Sequence, residues 1–167
     1  MRVSDATTLF DYLYWMRDRV LDAAAGLDTE AFTAVATVTS RDLRATLVHE
    51  LDVQWSWRER LKGADWDDWG PDAELRGPDY PDVASVAEHW KRDEAEMRAW
   101  LAGLSDADLD APPVRGEDRQ PLWQYTLHLV SHGIQQFSEA AVLLTRAGRS
   151  PGEIGFLEFI QQTGRRV

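Results

Sequence analysis

Apolar residues recur at helical spacing in four long stretches of the chain, and hardly anywhere at the two-residue spacing of a strand. Leu9, Leu13, Met16, Val20 and Leu21 predict a first helix over about Asp5 to Ala25, with Ser4 as candidate cap and Gly26 as stop. Leu43, Leu47, Leu51 and Trp55 form the stripe of a second, over about Arg41 to Leu61, between the candidate cap Ser40 and Gly63. Val83, Val86, Trp90, Met97, Trp100 and Leu101 mark a third over about Asp82 to Gly103. Leu122, Leu129, Gly133, Phe137 and Ala140 mark a fourth over about Pro121 to Arg146, where Pro121 suits a helix start and Gly148 an end. A short last helix is expected over Glu153 to Gln161.

The stretches between are rich in Asp, Gly and Pro. Gly63 to Pro81 reads as a long ordered loop carrying Trp66, Trp69 and Tyr80, and Leu104 to Gln120 as a second loop. A connection as long as the first in a compact helical protein is usually functional or a crossover. No repeat and no change of composition divides the chain, so residues 1–167 read as one all-α domain, a four-helix bundle.

Composition narrows the chemistry. Hydrophobic residues at 44 % and charged residues at 28 % are those of a globular protein. With no cysteine, disulfides, thiolate metal sites and a cysteine nucleophile are excluded. A formal charge of −11, spread along the chain, argues against nucleic acid as a partner, because phosphate binding needs clustered Lys and Arg. The first residues lack the basic-then-apolar pattern of a signal peptide, and no stretch approaches a membrane span, so the expectation is a cytoplasmic protein without a membrane partner.

The four histidines are His49, His89, His128 and His132. His128 and His132 stand four apart in the fourth segment, on one helical face, so both could approach one ion. By itself such a pair is weak evidence, and two hydrogen-bonded histidines would give the same spacing. At about 100° per residue, Gln136 lies closest to the apolar stripe, His132 next, and His128 near the polar boundary. His132 and Gln136 are therefore the residues expected to point inward, with His128 at the rim. His49 lies off the Leu47/Leu51 stripe beside Ala45, Asp52 and Val53, and periodicity alone favours a solvent-facing side chain. His89 reads as a surface histidine. Trp66 and Trp69 are the tryptophans that could line a cleft. No phosphate loop and no nucleophile elbow is present.

The stretch Leu122-Trp123-Gln124-Tyr125-Thr126-Leu127-His128-Leu129-Val130-Ser131-His132-Gly133 resembles the DinB/YfiT-like superfamily, as does its continuation to Phe159. The run Leu43 to Leu61 with His49 at its middle, the opening run Leu9 to Leu21 and the stretch Leu104 to Leu109 agree in order and spacing. The resemblance implies an up-down-down-up four-helix bundle with a long crossover after the second helix, often a homodimer. It implies one divalent metal, nickel or zinc, held by three histidines. It also implies an enzyme acting on a small-molecule substrate, in characterised relatives a thiol-dependent one using a low-molecular-weight thiol such as bacillithiol or mycothiol.

Carried over position by position, the metal ligands fall on His49, on His132, which follows Ser131 where the family often has Asn, and on position 136. That position holds Gln136, and the next, often Arg in the family, holds Phe137. An amide oxygen is a weaker donor to zinc or nickel than an imidazole. Three arrangements follow: Gln136 ligates through its oxygen, His128 supplies the third nitrogen, or His49, His132 and Gln136 form a hydrogen-bonded group without metal. The corresponding functions are a metal-dependent transferase, or a metal-dependent hydrolase that the same ligands would serve, and a non-catalytic, metal-degenerate binding or stress-associated dimeric protein.

Overall fold

The computed structural model describes residues 1–65, 69–70, 73–113 and 119–164; Trp66 lies outside them. Every regular element among them is helical: α1 (Val3–Ala24), α2 (Thr29–Phe32), α3 (Leu43–Leu61), α4 (Val83–Ala102), α5 (Asp106–Asp110), α6 (Leu122–Arg146) and α7 (Phe156–Thr163), with a 3-10 turn at Gly77–Asp79. The four long helices are those the apolar periodicity predicts. The short α2 and α5 fall in stretches read as loops, and they are too brief for a 3.6-residue period to show.

Local chemistry moves the helix starts. The α3 start is capped by Asp42, whose carboxylate accepts the Ala45 N–H at 2.7 Å, and Ser40 lies outside the helix. The α1 start precedes Ser4, because Asp5 reaches back to accept the Arg2 N–H at 2.9 Å. The last helix begins at Phe156, later than Glu153.

Helices α1 and α3 each pack on both α4 and α6. Their ends fix the relative directions. Helices α1 and α6 start near α5, through Val3 N–H to Asp106 and Leu122 N–H to the Ala111 carbonyl, both at 2.8 Å. They finish near each other, where Arg149 Nε donates to the Ala23 carbonyl at 2.8 Å. Helix α4 runs against α1, pairing Arg17 with Glu94 and Asp11 with Arg98. Helix α3 runs against α6, bringing Glu50 to His132 and Trp57 to Tyr125.

The core is continuous, built on Phe10, Leu13, Met16, Leu47, Leu51, Trp90, Met97, Leu129 and Phe137. One face of α3 is exceptional. Glu50, Gln54 and Arg58 stand at four-residue intervals and are all buried, so a polar column runs inside the bundle. The connection from α3 to α4 lies across the outside of α3: Leu75 N–H donates to Asp52 at 2.8 Å, and Trp69 stacks on Trp55. No helix among the described residues is long and apolar enough to cross a membrane.

Candidate metal centre

His49 and His132 come together across α3 and α6. Their ring centroids are 5.2 Å apart with the planes at 68°. His49 is half-buried rather than solvent-facing, since α6 covers the side of α3 that carries it. Its imidazole makes no hydrogen bond among the described residues. Burial lowers its proton affinity below that of an ordinary histidine, and the charge of Arg41 and the neighbouring His132 act the same way. The neutral ring, with a lone pair to donate, is therefore favoured.

His132 is held from behind. Its Nδ1 lies 2.5 Å from Glu50 Oε2, leaving Nε2 without a hydrogen bond among the described residues. Glu50 is completely buried, and its other oxygen accepts Gln54 Nε2–H at 2.7 Å. Burial raises this carboxyl above the usual range, and the hydrogen bonds from His132 and Gln54 work against the rise. Room for it comes from Gly133: a Cβ there would stand 2.6 Å from Glu50 Oε1 and 2.7 Å from Leu13 Cδ1.

Gln136, one turn beyond His132, is 3 % exposed, and its Oε1 has no hydrogen-bond partner among the described residues. A buried carbonyl oxygen without a partner is costly and rare. Glu139, a further turn along and half-buried, keeps Oε2 buried and without a hydrogen-bond partner among the described residues, and its charge acts on His49. His128 is exposed, with its ring 6.1 Å from His132 and edge-on to Trp57 at 5.6 Å. It sits on the rim of the pair. Among the described residues no three His, Cys, Asp or Glu side chains gather into a metal-binding group. A third protein donor from the sites singled out in the sequence would then be the Gln136 oxygen. By donor type, two imidazoles and an amide oxygen suit a divalent cation, as a weaker set than three imidazoles.

Outside this pair lies a cleft of about 330 Å³, lined by Arg41, Ala45, His49, Asp52, Glu74 and Leu75 among others. A small molecule could reach His49 through it. Trp69 lines a neighbouring cleft with Trp55. His89 corrects the sequence expectation of a surface histidine. It is half-buried, stacked with Tyr80 and bonded to the Tyr80 hydroxyl at 2.7 Å, and it anchors the end of the crossover rather than the site.

Glu50 is the residue that pattern reading missed. The apolar stripe that the sequence shows runs through Leu43, Leu47, Leu51 and Trp55, whereas the buried face drifts through Glu50, Gln54 and Arg58 to Leu61. The signal was present as the continued three-and-four spacing of Leu43, Leu47, Glu50, Gln54, Arg58 and Leu61.

Together, the fold and this site define an all-α protein of packed long helices with an inter-helix histidine pair backed by a buried carboxylate. The DinB family profile matches residues 1–167, and the chain belongs to the DinB family. Among curated proteins, none matches it.

Proposed function

We propose that this protein is a metal-dependent enzyme acting on a small molecule, in which His49 and His132 hold a divalent cation with Gln136 as third donor. The observation that carries the reading is the approach of two imidazoles from different helices, one unbonded and one bonded only through Nδ1. A bundle that wanted only a core at this place would fill it with apolar side chains at lower cost. In this reading the four long helices form an up-down-down-up bundle, which the packing of α1 and α3 on both α4 and α6 supports.

Bound there, zinc or nickel would supply Lewis acidity and lower the pKa of a coordinated thiol or water. The chain's own residues do the rest. Gln136 contributes a neutral oxygen, so the site carries no ligand charge of its own. His49 lines the cleft and His132 does not, so His49 is the member of the pair on the side from which substrate would arrive. The substrate class that goes with this reading is a small molecule, with a low-molecular-weight thiol as cosubstrate and transfer to its sulfur as the reaction. The family's homodimer belongs to the same proposal, and sedimentation analysis reads it directly.

The test is metal titration of untagged protein. Wild type binds about one equivalent of Zn²⁺ or Ni²⁺, and His49→Ala and His132→Ala each lose it. Gln136→His binds at least tenfold more tightly, since an imidazole replaces an amide. A second reading has an observation of its own: among the described residues no third imidazole or carboxylate completes a metal-binding group with the pair, and position 136 holds an amide. If wild type binds no metal and Gln136→His does, the protein is a DinB-family binding module whose metal chemistry has been lost. Turnover that needs an added thiol separates a transferase from a hydrolase.

A further inference from the structure

We infer that Glu50 is a positioning residue for His132, fixing the ring as its Nδ1–H tautomer and leaving the Nε2 lone pair free for the site that His132 shares with His49. The inference rests on the metal reading for its purpose; its geometry does not.

A neutral histidine carries its proton on either nitrogen, and only the bare one can bind a cation. Which nitrogen is bare depends on what the other one meets. Here Nδ1 meets a carboxylate oxygen at 2.5 Å, and Nε2 meets no hydrogen-bonding group among the described residues. Glu50 can do this job in one orientation only. Its Oε1 accepts Gln54 Nε2–H at 2.7 Å, one helical turn away, which leaves Oε2 as the oxygen that faces Nδ1 and, in this inference, accepts its proton. A carboxylate behind a ligating imidazole also makes the ring a stronger donor to a cation in front of it.

Two further observations say that the placement is specific. Glu50 is fully buried between α1, α3 and α6, with Leu13 crowding the same space as the Gly133 position. A buried carboxylate is expensive, and Leu47 and Leu51 on the same helix show what this core takes where nothing polar is needed. Position 133, next to His132 on α6, is the place where any side chain would strike the carboxylate. Gly133, Glu50, Gln54 and His132 therefore work as one unit. The glycine opens the space, the glutamine orients the carboxylate, and the carboxylate orients the imidazole.

The experiment is long-range ¹H–¹⁵N correlation spectroscopy at pH 8 on metal-free protein labelled with ¹⁵N-histidine, with His132 assigned by its loss in His132→Ala. The expected spectrum shows a protonated Nδ1 and a bare Nε2. A protonated Nε2, whether with a bare Nδ1 or as an imidazolium, would overturn the inference. Glu50→Gln keeps the shape and can present an N–H to Nδ1. That variant is expected to shift His132 toward the Nε2–H tautomer and to weaken Zn²⁺ binding about 10–100-fold, with the far-UV circular dichroism of wild type. Gly133→Ala, which leaves Glu50 in the chain, should move the same tautomer signals. An unchanged tautomer in both variants sinks the assignment. The failure modes are distinct: a wild type that binds no Zn²⁺ defeats the metal reading while the tautomer of His132 is still read directly.

Discussion

Arg58 and Asp93 meet where water is absent. Their side chains are 3 % and 1 % exposed, Arg58 Nη1 donates to the Asp93 carboxylate and to its peptide carbonyl at 3.2 Å, and Nε reaches Glu59 at 3.0 Å. Burial pushes the Asp93 carboxyl up against the pull of Arg58, so the charged form of Asp93 leans on its partner. Removing one partner strands the other. Asp93→Ala should cost about 3 kcal/mol, the low end for such pairs, because Arg58 retains Glu59 and the carbonyl. Arg58→Met combined with Asp93→Leu should cost much less than either charge deletion, because nothing charged is left buried. Urea unfolding of Asp93→Ala and of the double variant decides this, and a double variant as unstable as Asp93→Ala would show that packing rather than charge governs the site. At this scale the sequence displayed the residue types but not their direction: an arginine and a glutamate on a helix are ordinarily solvated, and only the drift of the buried face of α3 turns them inward.

Between elements, α1 and α4 are joined by an alternating set of charges. Buried Arg17 contacts Asp18 at 2.7 Å and Glu94 at 2.5 Å, and Arg98 contacts Glu94 at 2.7 Å and Asp11 at 2.5 Å. Burial alone would raise the Glu94 carboxyl, but the hydrogen bonds and charges of Arg17 and Arg98 outweigh it and hold the carboxyl below its ordinary value. The unfolded chain then binds the proton more tightly than the folded one, so this contribution to stability is complete above about pH 4.3 and is lost as pH falls through the depressed folded value. Glu94→Gln should accordingly destabilise the protein more at pH 7 than at pH 3. Denaturant midpoints at the two pH values test it, and an equal penalty at both would mean that the carboxylate charge is not what joins the helices. The sequence foretold both helices from their apolar periods. Their antiparallel pairing required the coordinates, because Arg17 and Glu94 lie far apart along the chain and nothing in either segment names the other.

For the molecule as a whole, a net charge of −11 means that exposed carboxylates outnumber the cations able to neutralise them. Self-repulsion of that kind weakens a compact state, and salt screens exposed charges more than buried pairs such as Arg58–Asp93. The urea midpoint at pH 7 should therefore rise between low salt and about 0.5 M NaCl, where the Debye length is only a few ångströms. A falling midpoint would show that exposed ion pairs matter more than the surplus charge.

The sequence by itself determined the helical class, the four long segments, the inward direction of Gln136 and the exposed position of His128, because each of these follows from the spacing of side chains along one helix. It also supplied the glutamine that replaces an expected imidazole. What the tertiary structure alone decided is everything that needs two helices at once. It turned His49 from a side chain that periodicity favours in solvent to one facing His132. It put Glu50 behind that ring and bound His89 to the crossover instead of leaving it to water. The physical reason is that a helical period reports which face is apolar, whereas a site is made by the polar exceptions to that face, and whether an exception meets water or a partner depends on the helix packed against it.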